Sequence, residues 1–145
     1  MSGALETAAG AFAVVGVADV VVRTGRELHR FFCDVSGAPA EVQSLNQCIQ
    51  ETLLLVDALR HCTRTNVDAN IVASVQAAIK ALDRELQSIK TTLAKFKGAK
   101  TSWSRIKYAL DDRKVAKALT NLERSKSLLV NSLTLIYGYV WYSLF

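Results

Sequence analysis

Apolar residues recur at helical spacing over most of the chain. The clearest run lies in the third of five segments, where steps of four and three alternate without a break: Val75, Ile79, Leu82, Leu86, Ile89, Leu93 and Phe96. This spacing places the apolar side chains on one face of an amphipathic helix. No stretch shows alternating β-branched residues between turn signals. The pattern therefore predicts an all-α protein.

Interruptions between the apolar runs divide the chain into five predicted helices. Their approximate limits are 4–35, 40–63, 68–97, 101–111 and 112–142. Gly37 can end the first helix, and Pro39 suits the first turn of the second. Asp111 and Asp112 lie where the fifth helix begins, and we expect them to cap it. Short connections favour antiparallel neighbours, so we predict one domain, an up-and-down bundle of four to five helices with a short fourth helix.

The first predicted helix contains a long stretch without charge. Residues 7–18, between Glu6 and Asp19, carry none, and Gly10 and Gly16 offer small surfaces for close helix packing. Twelve residues are fewer than the ~20 that a spanning helix needs. A secretory signal would need basic residues before the apolar run. We expect a buried core helix, although small residues also let helices associate in lipid.

Charge is distributed unevenly along the sequence, whose net charge is +5. Residues 1–59 contain three basic and seven acidic residues, and residues 60–126 contain fifteen basic and six acidic residues. Residues 127–145 are uncharged and end in the aromatic stretch "YGYVWYSLF". Basic surfaces attract both nucleic acid and anionic lipid, so charge alone does not select between these partners.

Candidate chemistry for catalysis or metal binding is sparse. Cys33, Cys48 and Cys62 lie among apolar residues and lack metal-ligand spacing, so we expect small buried thiols in a reducing compartment. His29 and His61 fall on different predicted helices with no obvious nucleophile. A glycine-rich phosphate loop and the common hydrolase motifs are absent from the sequence. We expect neither an enzyme nor a cofactor.

The basic middle of the sequence is better suited to lipid than to nucleic acid. No helix-turn-helix, zinc-finger or RNA-binding signature accompanies it. Anionic membranes attract each nearby Lys or Arg by about 1 kcal/mol, and Trp and Tyr, as in the tail, are enriched at membrane interfaces. A solvated helix surface and a covered end of the fifth helix are the ordinary alternatives. The candidate lipid-binding residues are Lys80, Arg84, Lys95, Arg113 and Lys117.

Three segments together resemble the fungal HeLo-like N-terminal domains. They are "MSGALETAAG", "GAPAEVQSLNQCIQETLLLVDAL" and "SWSRIKYALDDRKVAKALTNLERSKSLLVNSLTLI", which match the family's apolar first helix, its second helix, and its tryptophan-led short helix before a long last helix. The family is found at the amino terminus of intracellular nucleotide-binding, repeat-containing (NLR) receptors and of related cell-death proteins. It usually precedes a nucleotide-binding or amyloid-signalling region, and this sequence contains neither.

The resemblance implies a cytoplasmic bundle that forms homo-oligomers when triggered and then permeabilises the plasma membrane. By position, its membrane-active first helix corresponds to residues 5–22 here. The candidate insertion residues are Leu5, Phe12, Val14, Val15, Val17, Asp19 and Val21. The implied role is a cell-death effector in fungal innate immunity and heterokaryon incompatibility, with an NLR-type receptor as a further partner.

In the resting protein we expect Ala11, Phe12 and Val15 to pack against the second, third and fifth helices. On release, Asp19 is expected near a pore lumen or the membrane interface, where an acidic residue is tolerated. The rival hypothesis is an adaptor domain that binds only protein partners and has no membrane activity.

Overall fold

The computed structural model of the chain describes the backbone of residues 2–62, 69–96 and 101–144 and the side chains of residues 15–61, 69–96 and 101–138. Five α-helices account for nearly all of this part: α1 (Ser2–Asp34), α2 (Ala40–Cys62), α3 (Ala69–Leu93), α4 (Trp103–Ile106) and α5 (Asp112–Leu144). A short 3-10 turn, Ala94–Phe96, extends α3. The predicted all-α helical bundle is confirmed.

The fourth helix is shorter than the predicted range of 101–111. It contains only the four residues of α4, and the backbone N–H groups of Ala109 and Leu110 then both donate to the carbonyl of Ile106. These bonds form a tight turn that directs the chain into α5. Asp111 caps that helix, as predicted, because its Oδ1 accepts a 2.9 Å hydrogen bond from the backbone N–H of Lys114.

Helix α1 packs against both α2 and α3. Its contacts with α2 run in opposite chain directions, since Asp19 pairs with Arg60 near the end of α2 and His29 contacts Asn46 near its start. Its contacts with α3 run in the same chain direction, because the paired residues differ by the same number of positions: Thr24 pairs with Gln87, and Glu27 pairs with Lys90. Helix α1 is therefore antiparallel to α2 and parallel to α3.

Helix α5 occupies the corner diagonally opposite α1 and packs against the same two helices. Glu51 of α2 pairs with Lys126, and Cys48 lies next to Glu123, so the offset between α2 and α5 is also constant. These two helices are parallel, and α2 and α3 occupy the remaining diagonal. Chain direction alternates as predicted, but the expectation of mainly antiparallel neighbours is wrong. After α2 the chain continues into α3 at the diagonally opposite corner of the bundle. Two of the four pairs of adjacent helices are therefore parallel.

The core lies between the four long helices. Its largest fully buried side chains are Val21, Leu45, Ile49, Leu59, Ile79, Leu82, Leu86, Ile106, Leu122, Leu129 and Ile136. Full burial of one such side chain stabilises a fold by about 1.5–3 kcal/mol. Apolar burial is therefore the main source of stability in the bundle.

Two chain connections are joined at one end of the bundle. The Ser36 N–H donates to the carbonyl of Thr101 at 3.2 Å, and the Trp103 N–H donates to the carbonyl of Ser36 at 2.8 Å. Next to Ser36, Gly37 has a φ of +75°, a conformation that side-chain-bearing residues rarely adopt. This glycine lets the chain leave α1, satisfy both hydrogen bonds and enter α2.

Candidate functional site

The described part of α1 becomes more buried from its amino-terminal side towards the centre. Ala18 and Val21 are fully buried, whereas Val15 and Val17 are only half-buried. The expected burial of Val15 is therefore incomplete. Several candidate residues of this helix lie outside the side chains that the structure describes: Leu5, Gly10, Ala11, Phe12 and Val14.

Gly16 does not mediate close helix packing within the bundle, so that prediction is wrong. It is exposed, and a Cβ added there would meet nothing within 4 Å. The close approach occurs at Gly25, where an added Cβ would overlap the Leu53 side chain of α2. Gly25 lies one turn from the buried residues Val21 and Leu28, so it faces the neighbouring helix.

Asp19 lies at the surface of the boundary between α1 and α2. Its side chain is 56% exposed, and its Oδ1 accepts a 2.6 Å hydrogen bond from Nη1 of Arg60. The same guanidinium also pairs with Asp57, and these carboxylates, Asp19 first, raise the pKa of Arg60. An exposed ion pair of this kind stabilises a fold by at most about 1 kcal/mol. It is therefore a weak attachment of α1 to α2.

The amino-terminal part of α1 runs past the end of α2. Asp19 lies beside Arg60, and α2 ends two residues later at Cys62, whereas α1 extends back to Ser2. The uncharged residues 7–18 fall mostly within this extension. The expectation that α1 also packs against α5 is wrong for the described residues, because α5 lies across the diagonal of the bundle.

The five candidate lipid-binding residues are all exposed on the α3 and α5 side of the bundle. We call them the outer basic face: Lys80, Arg84, Lys95, Arg113 and Lys117. The two helices that carry most of them are adjacent, with the Asn121 amide donating to Glu85 at 3.0 Å. Among the described residues, no ion pair engages any of the five. The Lys95 ammonium lies 5.2 Å from the ring centroid of Phe96.

Three other basic residues lie where two long helices meet, and we call them the seam cations: Arg60, Lys90 and Lys126. Lys90 pairs with Glu27 of α1 at 3.2 Å, and Lys126 pairs with Glu51 of α2 at 2.7 Å. The hydrogen bond from Lys126 lowers the pKa of Glu51, and the same bond raises the pKa of Lys126. The seam cations thus have their charge balanced within the bundle.

The carboxyl-terminal half of α5 carries several exposed apolar side chains. They are Leu128, Val130, Leu135 and Tyr137, which are 44–63% exposed. They flank the buried stripe formed by Leu129 and Ile136. The helix continues to Leu144, close to the predicted end at 142. Side chains beyond residue 138 lie outside the described part of the chain.

The cysteines differ from the prediction that all are buried. Cys33 is exposed, and its Sγ lies 3.6 Å from Nε2 of His29. Cys48 is buried as expected, and this burial raises the pKa of its thiol to about 11. Cys62 has a side chain outside the described part of the chain. The i, i+4 spacing of His29 and Cys33 is visible in the sequence, but their shared partner on α2, Asn46, is not.

Neither a metal cluster nor a membrane span emerges from the described residues. They contain no group of three or more His, Cys, Asp or Glu side chains placed to hold a metal ion. None of their helices combines the length and hydropathy needed to cross a bilayer. A scan against protein-family models and searches of curated proteins and solved structures found no match to the chain.

Proposed function

We propose that this bundle is a membrane-targeting module that self-associates when triggered and then permeabilises an anionic membrane, acting as a cell-death effector in a fungal immune pathway. The observation that carries the proposal is the contrast between the two groups of basic residues. Seam cations are neutralised by carboxylates of the neighbouring helix, whereas the outer basic face has no ion pair among the described residues. An anionic surface would supply the missing counter-charge.

The outer basic face has the charge and exposure that headgroup binding requires. Each Lys or Arg near an anionic membrane contributes about 1 kcal/mol, so several together attract the bundle strongly at physiological salt. The attraction falls with distance over a Debye length of about 8 Å, and added salt weakens it. We therefore expect binding that depends on anionic lipid and decreases steeply as salt is raised.

Helix α1 is the segment that we propose enters the membrane. Residues 7–18 carry no charge, and the helix extends past the end of α2. The Asp19–Arg60 pair that joins it to α2 is partly exposed, and a surface pair of this kind contributes at most about 1 kcal/mol. Twelve uncharged residues are too few for one helix to span a bilayer, so we expect several copies of α1 to disturb the membrane together without each one crossing it. Asp19 would then lie at the membrane interface or a pore lumen.

Vesicle flotation tests the role of the outer basic face. The full chain, fused to an inducible oligomerisation tag, is mixed with vesicles of phosphatidylcholine with or without about 30% phosphatidylserine. We expect binding only to the anionic vesicles. The triple variant Arg84→Gln, Arg113→Gln, Lys117→Gln should bind about 100-fold more weakly, from about 1 kcal/mol per charge. The seam variant Lys90→Gln removes a cation that is already paired with Glu27 and should bind like the wild type.

Dye leakage from the same vesicles tests the role of α1. Val15→Asp and Phe12→Asp should abolish leakage induced by oligomerisation, because each adds a charge to the uncharged segment. Leu128→Asp, the same kind of change at an exposed position of α5, should leave leakage intact. Equal leakage from Val15→Asp, Phe12→Asp and wild type would contradict insertion. Absence of vesicle binding in the oligomerised wild type would instead favour the protein-binding adaptor.

A further inference from the structure

An exposed thiol, an imidazole and a carboxamide form a closed set of contacts between α1 and α2. Nδ1 of His29 lies 2.8 Å from Oδ1 of Asn46, and Nδ2 of Asn46 lies 3.4 Å from Sγ of Cys33. The ring closes through the 3.6 Å contact between Sγ of Cys33 and Nε2 of His29. One proton arrangement satisfies all three contacts. The His29 Nδ1–H donates to Asn46, the Asn46 amide donates to Cys33, and the Cys33 S–H donates to Nε2 of His29.

This arrangement gives each of the three residues a defined chemical role. With the protons so arranged, Nε2 of His29 is unprotonated and faces the thiol, as a general base must. Asn46 holds the imidazole in that tautomer and donates to the sulfur. A nucleophile, a base and an orienting group in mutual hydrogen-bond reach are the signature of an activated thiol.

His29 and Cys33 line an open groove that can hold a small molecule. Its volume is about 470 Å³, within the range of ~300–1,000 Å³ that small-molecule sites occupy. Val22, Leu53 and Leu54 supply apolar lining, and Leu54 is 67% exposed. Arg26 and Arg30 line the same groove. Because they lie one turn apart on α1, on the same side as Cys33, they can bind carboxylates close to the thiol.

The Asp57 carboxylate also lines the groove, but it pairs with Arg60 and is outnumbered by Arg26 and Arg30. The arginines therefore dominate the charge of the ligand-facing side. We infer that Cys33 is a modification site for small disulfides that carry carboxylate groups, with His29 as the base and Arg26 and Arg30 as the anion-binding groups. The proposal does not rest on the membrane function.

The reaction is thiol–disulfide exchange and needs no other reactant. The Cys33 proton moves to Nε2 of His29, and the thiolate attacks one sulfur of the disulfide. A new S–S bond forms to Cys33 while the original S–S bond breaks. The departing thiolate takes the proton from His29 and leaves as a free thiol. Cys33 is oxidised, the departing half of the reagent is reduced, and the histidine returns to its initial state.

Rates of modification at each cysteine test this site, measured on the folded full chain by peptide mass spectrometry. Two probes are compared: oxidised glutathione, which carries carboxylates, and hydroxyethyl disulfide, which is neutral. Cys33 should react with oxidised glutathione at least about tenfold faster than the same residue in the urea-denatured chain. Cys48, whose thiol is buried, should remain unmodified over the same time.

Variants separate the base from the anion-binding groups. His29→Gln should slow both probes about equally, by at least about tenfold. Arg30→Gln should slow only oxidised glutathione, by several-fold, and Arg124→Gln on α5 should slow neither. Circular dichroism checks that each variant is folded. Cys33 reacting no faster in the folded wild type than in the denatured chain would overturn the proposal, as would an unchanged rate in a folded His29→Gln variant.

Discussion

The seam cations and the outer basic face show two uses of the same residue types in one small bundle. Lys90 and Lys126 lie between helices and are matched to carboxylates on the helix next to them. Arg84 and Lys117 point away from the bundle and have no such partner among the described residues. The fold therefore balances charge where helices meet and leaves positive charge where an external partner can reach it.

This difference separates the requirements of folding from those of binding. Pairing at the seams accompanies a core that is built from leucine, isoleucine and valine, so charge contributes little to stability there. The outer basic face contributes less still, since it contacts mainly solvent. Changes at the outer basic face should therefore alter partner binding without unfolding the bundle. Changes to the buried apolar side chains should lower the stability of the bundle instead.

The largest expected effect on stability comes from shortening a fully buried apolar side chain of the core. Leu82 is fully buried on α3, two residues before Arg84 of the outer basic face. Leu82→Ala should lower the free energy of unfolding by about 2–5 kcal/mol because it leaves a cavity. Arg84→Ala should change it by less than about 0.5 kcal/mol. Urea unfolding followed by circular dichroism measures both changes. Similar losses of unfolding free energy in the two variants would contradict the claim that the outer basic face contributes little to folding.

A smaller effect on stability is expected when either of two glycines of α1 is replaced by alanine, and its sign should differ between the two positions. Gly25→Ala should destabilise the bundle by about 1–3 kcal/mol, because the added methyl group displaces Leu53. Gly16→Ala should stabilise it by about 0.4–1 kcal/mol, because the added methyl group meets open space and stiffens the unfolded chain. Thermal unfolding of the two variants gives the signs. A Gly25→Ala variant as stable as Gly16→Ala would mean that the Leu53 side chain moves aside at no cost.

The smallest expected effect is the acid sensitivity of the Lys126–Glu51 seam. The pKa of Glu51 is lowered in the folded state from its ordinary value of 4.5, so the unfolded chain binds more protons in that range. The contribution of Glu51 to stability is therefore present above pH 4.5 and is lost as the pH falls through the lower folded-state pKa. Glu51→Gln should flatten this acid limb of stability, measured by urea unfolding between pH 3 and pH 6. An acid limb of unchanged slope would show that the pair is not formed.

Sequence patterns predicted the helices because local signals mark their ends. Gly37, Pro39 and Asp111 stop or start helices through their own backbone preferences, and the predicted limits of the four long helices lie within a few residues of the observed ones. Periodicity also identified the buried face of α3. Six of the seven predicted positions, from Val75 to Leu93, are buried, and the last, Phe96, is half-buried. These features depend on neighbours in the chain, and a single sequence contains that information.

Contacts between distant segments could not be predicted in the same way. The same apolar faces are buried whether α3 lies diagonally across from α2 or next to it. The hydrophobic pattern therefore does not distinguish the two arrangements. Burial of Val21 and Leu28 does point to Gly25 as the close-packing glycine, since all three share a face of α1. The partner of the His29–Cys33 pair, Asn46, comes from another helix and depends on how α1 and α2 pack.

A reversible lock between α1 and α2 tests the central claim most directly, namely that α1 must leave the bundle to permeabilise a membrane. A Cβ at position 25 would lie 3.0 Å from Cγ of Leu53, so cysteines at both positions are close enough for a disulfide. The variant Gly25→Cys, Leu53→Cys is assayed for leakage of anionic vesicles after induced oligomerisation, before and after reduction, with Leu53→Cys alone as the control. We predict no leakage from the oxidised double variant and recovery on reduction. Leakage from the oxidised variant at the rate of the reduced one would contradict the release of α1.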